Sequence, residues 1–251
     1  MKRRLIISAG ANGIGLAIAR HFAANGASVA ICDVDEEAIA AVAAEFDLAT
    51  VCDVTDADVM DNFVKNAVSR LSGVTTVIAN AGTAGPTSNL EDIDPDDWSR
   101  TIAVNLTGQY TLLKSTIPHL KAQGAGAVIL MSSAAGRLGL PMRSPYAAAK
   151  WGVIGLKETL AMELGPHGIS VNAILPGSVT GPRMDAVLTA KAKATNISLE
   201  EARLAEVANA SMCRMIDPQE IAELAWFLAS PAARSVSGQS VGLCGNFETL
   251  R

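Results

Sequence analysis

The sequence predicts an α/β protein: one doubly wound domain with a seven-stranded, mainly parallel sheet and helices on both faces. Two observations lead there. Short strand-type apolar runs alternate with longer segments at helical spacing along the 251 residues, and that alternation produces a parallel sheet covered by helices. No Ser- or Pro-rich linker and no internal repeat divides the chain, so residues 1–251 read as a single domain. A chain this long buries roughly 70–75% of its unfolded surface and needs no disulfide or metal staple.

Taken in order, the strand-type runs are Leu5–Ser8, Ser28–Cys32, Thr50–Cys52, Thr75–Ala79, Ala127–Met131, Ser170–Leu175 and Ser240–Cys244. Helical spacing appears at Gly15–Ala24, at Asp56–Arg70 (Phe63, Val64, Ala67 and Val68), at Trp98–Leu120 and at Tyr146–Leu164. One stretch, about 176–215, breaks this rhythm. It opens Pro176-Gly177-Ser178-Val179-Thr180-Gly181, runs through an Ala/Lys-rich helical pattern, and reaches a second helix at Leu199–Ala210. Ser198 with Glu201 three residues on is a capping-box pattern. An insertion after the sixth strand lies at the carboxyl edge of the sheet, where it is well placed to cover a ligand.

Composition removes several function classes. A formal net charge of −5 argues against nucleic acid as a partner, because phosphate backbones are held by clustered cations. The longest uncharged stretch, Leu71–Leu90, carries Thr, Ser, Asn, three Gly and a Pro, unlike the roughly 20 mostly apolar residues of a membrane span. The basic start resembles a signal peptide, but its apolar run, Leu5–Ile7, is short of the usual ~7–15 residues. A cytoplasmic protein is expected. Cys32, Cys52, Cys213 and Cys244 lie far apart without a C-x-x-C pair, and His21, His119 and His167 are isolated, so neither a disulfide framework nor a metal site is indicated.

The first strand runs into Ser8-Ala9-Gly10-Ala11-Asn12-Gly13-Ile14-Gly15 and then a helix. Glycines there let the backbone turn tightly and approach a pyrophosphate, whose charge rests on the helix N-terminus. Asp33 closes the second strand, where a carboxylate accepts hydrogen bonds from the adenosine ribose and repels a 2′-phosphate. Asp35, Glu36 and Glu37 follow with no nearby Arg or Lys. NAD rather than NADP is the expected cofactor.

Further on, Tyr146 and Lys150 stand four apart at the start of a helix, so their side chains share one face. A free tyrosine titrates near 10 and is a poor base at neutral pH. A neighbouring ammonium favours the phenolate; bringing Tyr into working range asks that Lys and a cationic nicotinamide for roughly 3–4 kcal/mol together. Ser133 ends the fifth strand, where its hydroxyl can bond a substrate oxygen.

Together these residues resemble the short-chain dehydrogenase/reductase family over almost the whole chain. Ser133 stands 13 residues before the Tyr146-x-x-x-Lys150 pair, Asn80-Ala81-Gly82 follows the fourth strand, and Asn105 lies in Val104-Asn105-Leu106-Thr107-Gly108. Asn12, Gly13, Ile14 and Gly15 match the family's turn. The resemblance implies a Rossmann-type fold. It further implies that Asn105 holds a water linking the lysine to a proton relay and that Asp53-Val54 contacts adenine. In the same way Lys150 would bind the nicotinamide ribose, Pro176-Gly177 would turn beside the nicotinamide, and the Val179 backbone would hold its carboxamide. The faces at Trp98–Leu120 and Tyr146–Leu164 would form a subunit interface, giving a homo-oligomer, with a tetramer favoured. Two positions depart from the pattern: Ala9 has a Cβ where glycine is usual, with a glycine displaced to Gly10, and Gly181 stands where threonine is usual. Thr180 or Arg183 is expected to take over that contact.

The expected function is hydride transfer between NAD and a secondary alcohol (a polyol, sugar or hydroxy acid), without a metal. Tyr146 is the general acid/base, Ser133 orients the oxygen, and Lys150 and Asn105 complete the catalytic set. Substrate-pocket candidates are Ala135, Arg137, Pro141, Met142, Arg143 and the cover from Ser178 to Met215, in which Arg183 is a further candidate cation. Two alternatives stand beside this reading. One is an NADPH-dependent reductase of 3-oxoacyl thioesters or ketones, which Asp33 argues against. The other is a non-enzymatic dinucleotide sensor, which would not need the intact Ser/Tyr/Lys set.

Overall fold

The computed structural model describes residues 2–208 and 210–247. Its strands are β1 (Arg4–Ser8), β2 (Ser28–Asp33), β3 (Leu48–Val51), β4 (Thr76–Ala79), β5 (Gly126–Met131), β6 (Ile169–Pro176) and β7 (Ser240–Leu243). Its α-helices are α1 (Gly13–Ala24), α2 (Glu36–Val42), α3 (Ala57–Leu71), α4 (Pro95–Ile102), α5 (Gly108–Gln123), α6 (Ser144–Leu164), α7 (Pro182–Thr195), α8 (Leu199–Ala208) and α9 (Pro218–Leu228). The strands form one sheet in the order β3-β2-β1-β4-β5-β6-β7. Every neighbouring pair is parallel, so the sheet expected to be mainly parallel is parallel throughout. Among the described residues, no helix is long and apolar enough to cross a membrane.

Burial on both faces explains the near-continuous apolar strands: every residue of β2 and of β6 is buried. One face packs Ile6, Ala30, Val77 and Val128 against Phe63 and Val64 of α3, Leu112 and Leu113 of α5, and Val153 and Leu160 of α6. The other packs Leu5, Ile7, Val29 and Ile129 against Ile18 and Phe22 of α1 and Ile221 and Ala225 of α9. Alternate residues of each strand therefore feed opposite cores. A third, small cluster of Leu188, Ala192 and Ala202 joins α7 to α8.

Local chemistry sets several element ends. The Asp56 carboxylate caps α3 through the N–H groups of Asp58 and Val59. Asp217 and Glu220 form a capping box at α9. At α8, Ser198 and Glu201 make the reciprocal bonds their spacing suggests, with Ser198 N–H to Glu201 Oε2 at 2.8 Å and Glu201 N–H to Ser198 Oγ at 3.2 Å. The expected helix Leu199–Ala210 includes Asn209, which lies outside the described residues, as do residues 1 and 248–251 of the expected domain.

Other expectations are corrected. β3 starts earlier, at Leu48, and stops before Cys52, because the Asp53 carboxylate turns the chain by accepting the N–H and hydroxyl of Thr55, both at 2.8 Å. β7 ends at Leu243 rather than Cys244. Ser133 lies two residues past the end of β5 rather than closing it. The helical run expected over Trp98–Leu120 is unbroken, but it passes from α4 to α5 through a π-helical turn at Ala103–Thr107. Such a turn inserts extra backbone into a helix and re-aims its side chains. Here the residue it re-aims is Asn105.

Candidate active site

β1 lies between β2 and β4, so the sheet's winding reverses at the glycine turn, and ligands of open parallel sheets bind outside the strand ends at such a point. A cavity of about 610 Å3 opens there. Asn12, Gly13, Ile14, Gly15, Asp33, Asp53 and Val54 all line it, as do Asn80, Ala81, Gly82 and Val179. Pro176 and Gly177 do not. They continue the sheet edge instead, the Gly177 N–H donating to the Leu243 carbonyl at 3.0 Å. They lead from β6 to Val179, which does line the cavity.

The turn keeps its course despite Ala9, which takes a left-handed φ of +51°. Gly15 explains why the path is so constrained: a Cβ there would fall on the Ala9 carbonyl and 2.6 Å from Asn80 Nδ2. Asn80 braces the turn, donating from Nδ2 to the carbonyls of Ser8 (3.2 Å) and Ala9 (3.0 Å). The left-handed conformation costs a non-glycine residue about 1–2 kcal/mol, while glycine adds unfolded-state entropy worth about 0.4–1 kcal/mol. Ala9→Gly is therefore expected to be stabilising by about 0.5 kcal/mol, read as a small rise in urea midpoint at constant slope. A clear loss of stability would show that the Ala9 methyl packs favourably in place.

Asn12 makes no side-chain cap at the start of α1, and the first turn holds no acid. The orphan N–H groups there are left for an anion. Arg183 and Arg100 add cations to the lining. Both residues expected to substitute for the missing threonine, Thr180 and Arg183, line the cavity, and Thr180 bonds the Ile216 carbonyl through its N–H (3.0 Å) and its hydroxyl (3.4 Å). Asp33 is buried, its Oδ2 accepting the Ala11 N–H at 3.1 Å and its Oδ1 the Asp35 N–H at 3.2 Å. The acid thus braces the turn while fronting the cavity. An uncapped helix start, nearby cations and a carboxylate at the strand end fit a dinucleotide with its pyrophosphate on α1 and its ribose at Asp33.

Beyond Gly82 the polar side chains converge. Lys150 is 4% exposed, and its Nζ donates to the Met131 carbonyl at 2.9 Å. Burial, and secondarily the charge of Arg183, pulls its pKa down to about 7. Asn105 is fully buried in the π-helical turn, with Nδ2 donating to the carbonyls of Thr101 (2.9 Å) and Thr83 (3.1 Å). Its Oδ1 accepts nothing from the protein. A Cβ on Gly82 would stand 2.8 Å from that Oδ1 and 3.3 Å from Lys150 Nζ, so the glycine keeps the space between them open. Tyr146 lies one turn earlier on α6, its ring centroid 5.7 Å from Lys150 Nζ. The Ser132 hydroxyl donates to the Lys150 carbonyl at 2.9 Å, tying the strand end that carries Ser133 to α6. The Ser133 hydroxyl itself accepts the Ala135 N–H at 3.2 Å.

Gln109 was not singled out by sequence. Its Nε2 donates to the carbonyls of Asn105 (3.2 Å) and Met131 (2.9 Å), the latter shared with Lys150. Its position four residues after Asn105 was the available signal, since i and i+4 share a helix face.

A family model described as Enoyl-(Acyl carrier protein) reductase matches residues 8–245. The trans-4-hydroxycyclohexanecarboxylate dehydrogenase of Sinomonas cyclohexanicum is 38% identical over 96% of this chain and 90% of its own length. The chain belongs to the short-chain dehydrogenase/reductase family. Among solved structures, NAD+-bound xylitol dehydrogenase superposes with a TM-score of 0.93 at 26% identity, covering 97% of this chain and 98% of that one. A single-substitution variant of actinorhodin polyketide ketoreductase with NADPH also gives 0.93, at 28% identity over 98% and 99% of the two chains. This short-chain dehydrogenase/reductase is accordingly an oxidoreductase that uses a nicotinamide dinucleotide.

Proposed function

We propose that the protein is an NAD-dependent dehydrogenase of a secondary alcohol, with Tyr146 as general acid/base. The observation that carries this reading is the convergence at Gly82. There a buried lysine and a buried amide oxygen without a protein partner flank open space beside Tyr146, at the end of the dinucleotide cavity.

Bound dinucleotide supplies the hydride acceptor. The residues of the chain manage the proton and the oxygen. The Lys150 ammonium favours the phenolate of Tyr146 by its charge, and that phenolate takes the proton of the alcohol hydroxyl and becomes the neutral phenol. Ser133 hydrogen-bonds the substrate oxygen and holds it toward Tyr146. Asn105 Oδ1 accepts from a water that links Lys150 outward, carrying the proton away. Lys150 also binds the nicotinamide ribose, and the Val179 backbone the carboxamide. Asp53 and Val54 flank the adenine. The helices α7 and α8, within residues 176–215, cover the substrate.

NAD is preferred to NADP on the strength of Asp33, whose buried carboxylate would face a 2′-phosphate with no cation beside it in the acidic run that follows. Like charges brought together cost several kcal/mol, so NADH should bind at least about 100-fold more tightly than NADPH. Asp33→Asn, which keeps an acceptor for the turn, should cut that ratio at least about tenfold. Fluorescence titration of both dinucleotides, with initial rates on a panel of secondary alcohols, tests the reading. Tighter binding of NADPH would overturn it in favour of a ketone reductase.

A cytoplasmic location accords with Cys32, Cys52, Cys213 and Cys244 all being free thiols. A homotetramer accords with exposed Tyr110 on α5 and exposed Trp151 and Met162 on α6, apolar surface of the kind that subunit contacts cover.

A further inference from the structure

Arg137, Arg143 and Arg183 are the candidate cations for a polar substrate, and the fold gives each a different role. Arg137 is exposed and its Nη2 donates to the Ser240 carbonyl on β7. Arg183 lines the dinucleotide cavity. Arg143, just before α6, is only 8% exposed, with its guanidinium carbon 5.0 Å from the centroid of the Tyr146 ring.

Arg143 is poorly compensated for a buried cation. It makes one hydrogen bond, from Nη2 to the Ala84 carbonyl at 2.6 Å, and its buried Nε has no partner. No carboxylate among the described residues forms an ion pair with it. Burying a cation without a counter-charge is strongly unfavourable, so a site of this kind is completed by a ligand or is a defect. Burial draws the guanidinium below its ordinary value, and the groups that oppose this are Tyr146 and, after it, Glu206. The charge of Glu206 is already answered: Oε2 pairs with Lys191 Nζ of α7 at 3.2 Å, and Oε1 accepts the Ser178 hydroxyl at 2.5 Å.

We propose that Arg143 is the receptor for a carboxylate on the substrate, so that the alcohol oxidised here is a hydroxy acid anchored beside Tyr146. This rests on the alcohol dehydrogenase reading and narrows its substrate class. The charge count selects the anion. With Lys191 and Glu206 cancelling, Arg143 leaves one positive charge to answer, which a carboxylate does singly. A phosphate dianion would bring a second negative charge toward Glu206, whose own charge Lys191 already answers.

The test is binding to the enzyme–NADH complex, measured by calorimetry with acetate, butyrate and benzoate against their amides, and with inorganic phosphate. In the wild type the best acid should bind at least about tenfold more tightly than its amide, since charge-assisted pairing outweighs a neutral hydrogen bond. That ratio should fall to about two or less in Arg143→Met and recover partly in Arg143→Lys, which retains the charge. Arg143→Gln, able to keep the bond to Ala84, serves as the variant should Arg143→Met fail to fold. The proposal is overturned if amides match acids in the wild type, if the acid preference survives in the Met or Gln variant, or if phosphate binds best. It is equally overturned if no acid binds below about 100 mM, a strength too weak for a site-directed ion pair. The readout needs no turnover. Acid binding without oxidation of any alcohol would sink the dehydrogenase reading alone.

Discussion

Tyr146→Phe should lower kcat by about three orders of magnitude while the dissociation constant for NADH stays within about threefold of wild type. The substitution removes one oxygen and keeps the ring against the Arg143 guanidinium and near Lys150 Nζ, so the surrounding walls have no reason to move. What disappears is the group that takes the hydroxyl proton. Without it, proton removal falls to water, and a positioned acid–base residue is commonly worth about 10²–10⁴ in rate. Retained binding with lost turnover assigns the phenol to the chemical step. Activity within about tenfold of wild type would mean that another group moves the proton.

Lys150→Met should make the dinucleotide-free protein more stable at pH 6, with the advantage shrinking steadily as the pH rises. The sign follows from protons. A lysine in the unfolded chain titrates near 10.5, whereas burial and the charge of Arg183 bring Lys150 down to about 7 in the fold. Between those values the unfolded chain holds a proton that the native protein has released, so native stability climbs with pH across that window. Below about 7 both states carry the charge and the full cost of burying it remains. Each pH unit inside the window corresponds to about 1.4 kcal/mol, so the wild type should gain roughly 2 kcal/mol relative to the variant between pH 7 and 9. Urea unfolding of both proteins at a series of pH values measures this. Parallel stability curves would mean that Lys150 is charged throughout or solvated in the apo-protein. The same variant should be nearly inactive, having lost the ammonium beside Tyr146.

The fold was largely legible because strand burial and helix periodicity are written locally. β2 and β6, buried end to end, read as apolar runs, and the Ser198/Glu201 pair announced its own cap. Much of the site was legible for a related reason: Asn12 to Gly15, Asp33 and the Tyr146/Lys150 pair are defined by spacing within one element or one turn. The π-helical turn that joins α4 to α5 was not. An insertion into a helix is offset by contacts elsewhere, here Asn105 bonding Thr83 and Gln109 bonding Met131 across to β5.

The sequence by itself determined the order of strands and helices, the glycine turn after β1, the acid that follows it and the Tyr/Lys face, since each depends on residues close along the chain. Only the tertiary structure decided what each charge is for. In the sequence, Arg137, Arg143 and Arg183 are three similar cations. In the fold, one rests on a β7 carbonyl, one faces the dinucleotide cavity, and one is buried on Tyr146 with a donor to spare. The physical reason is that a guanidinium's energy depends on its exposure and its partners, and both are set by segments far apart in sequence that meet only when the chain has folded.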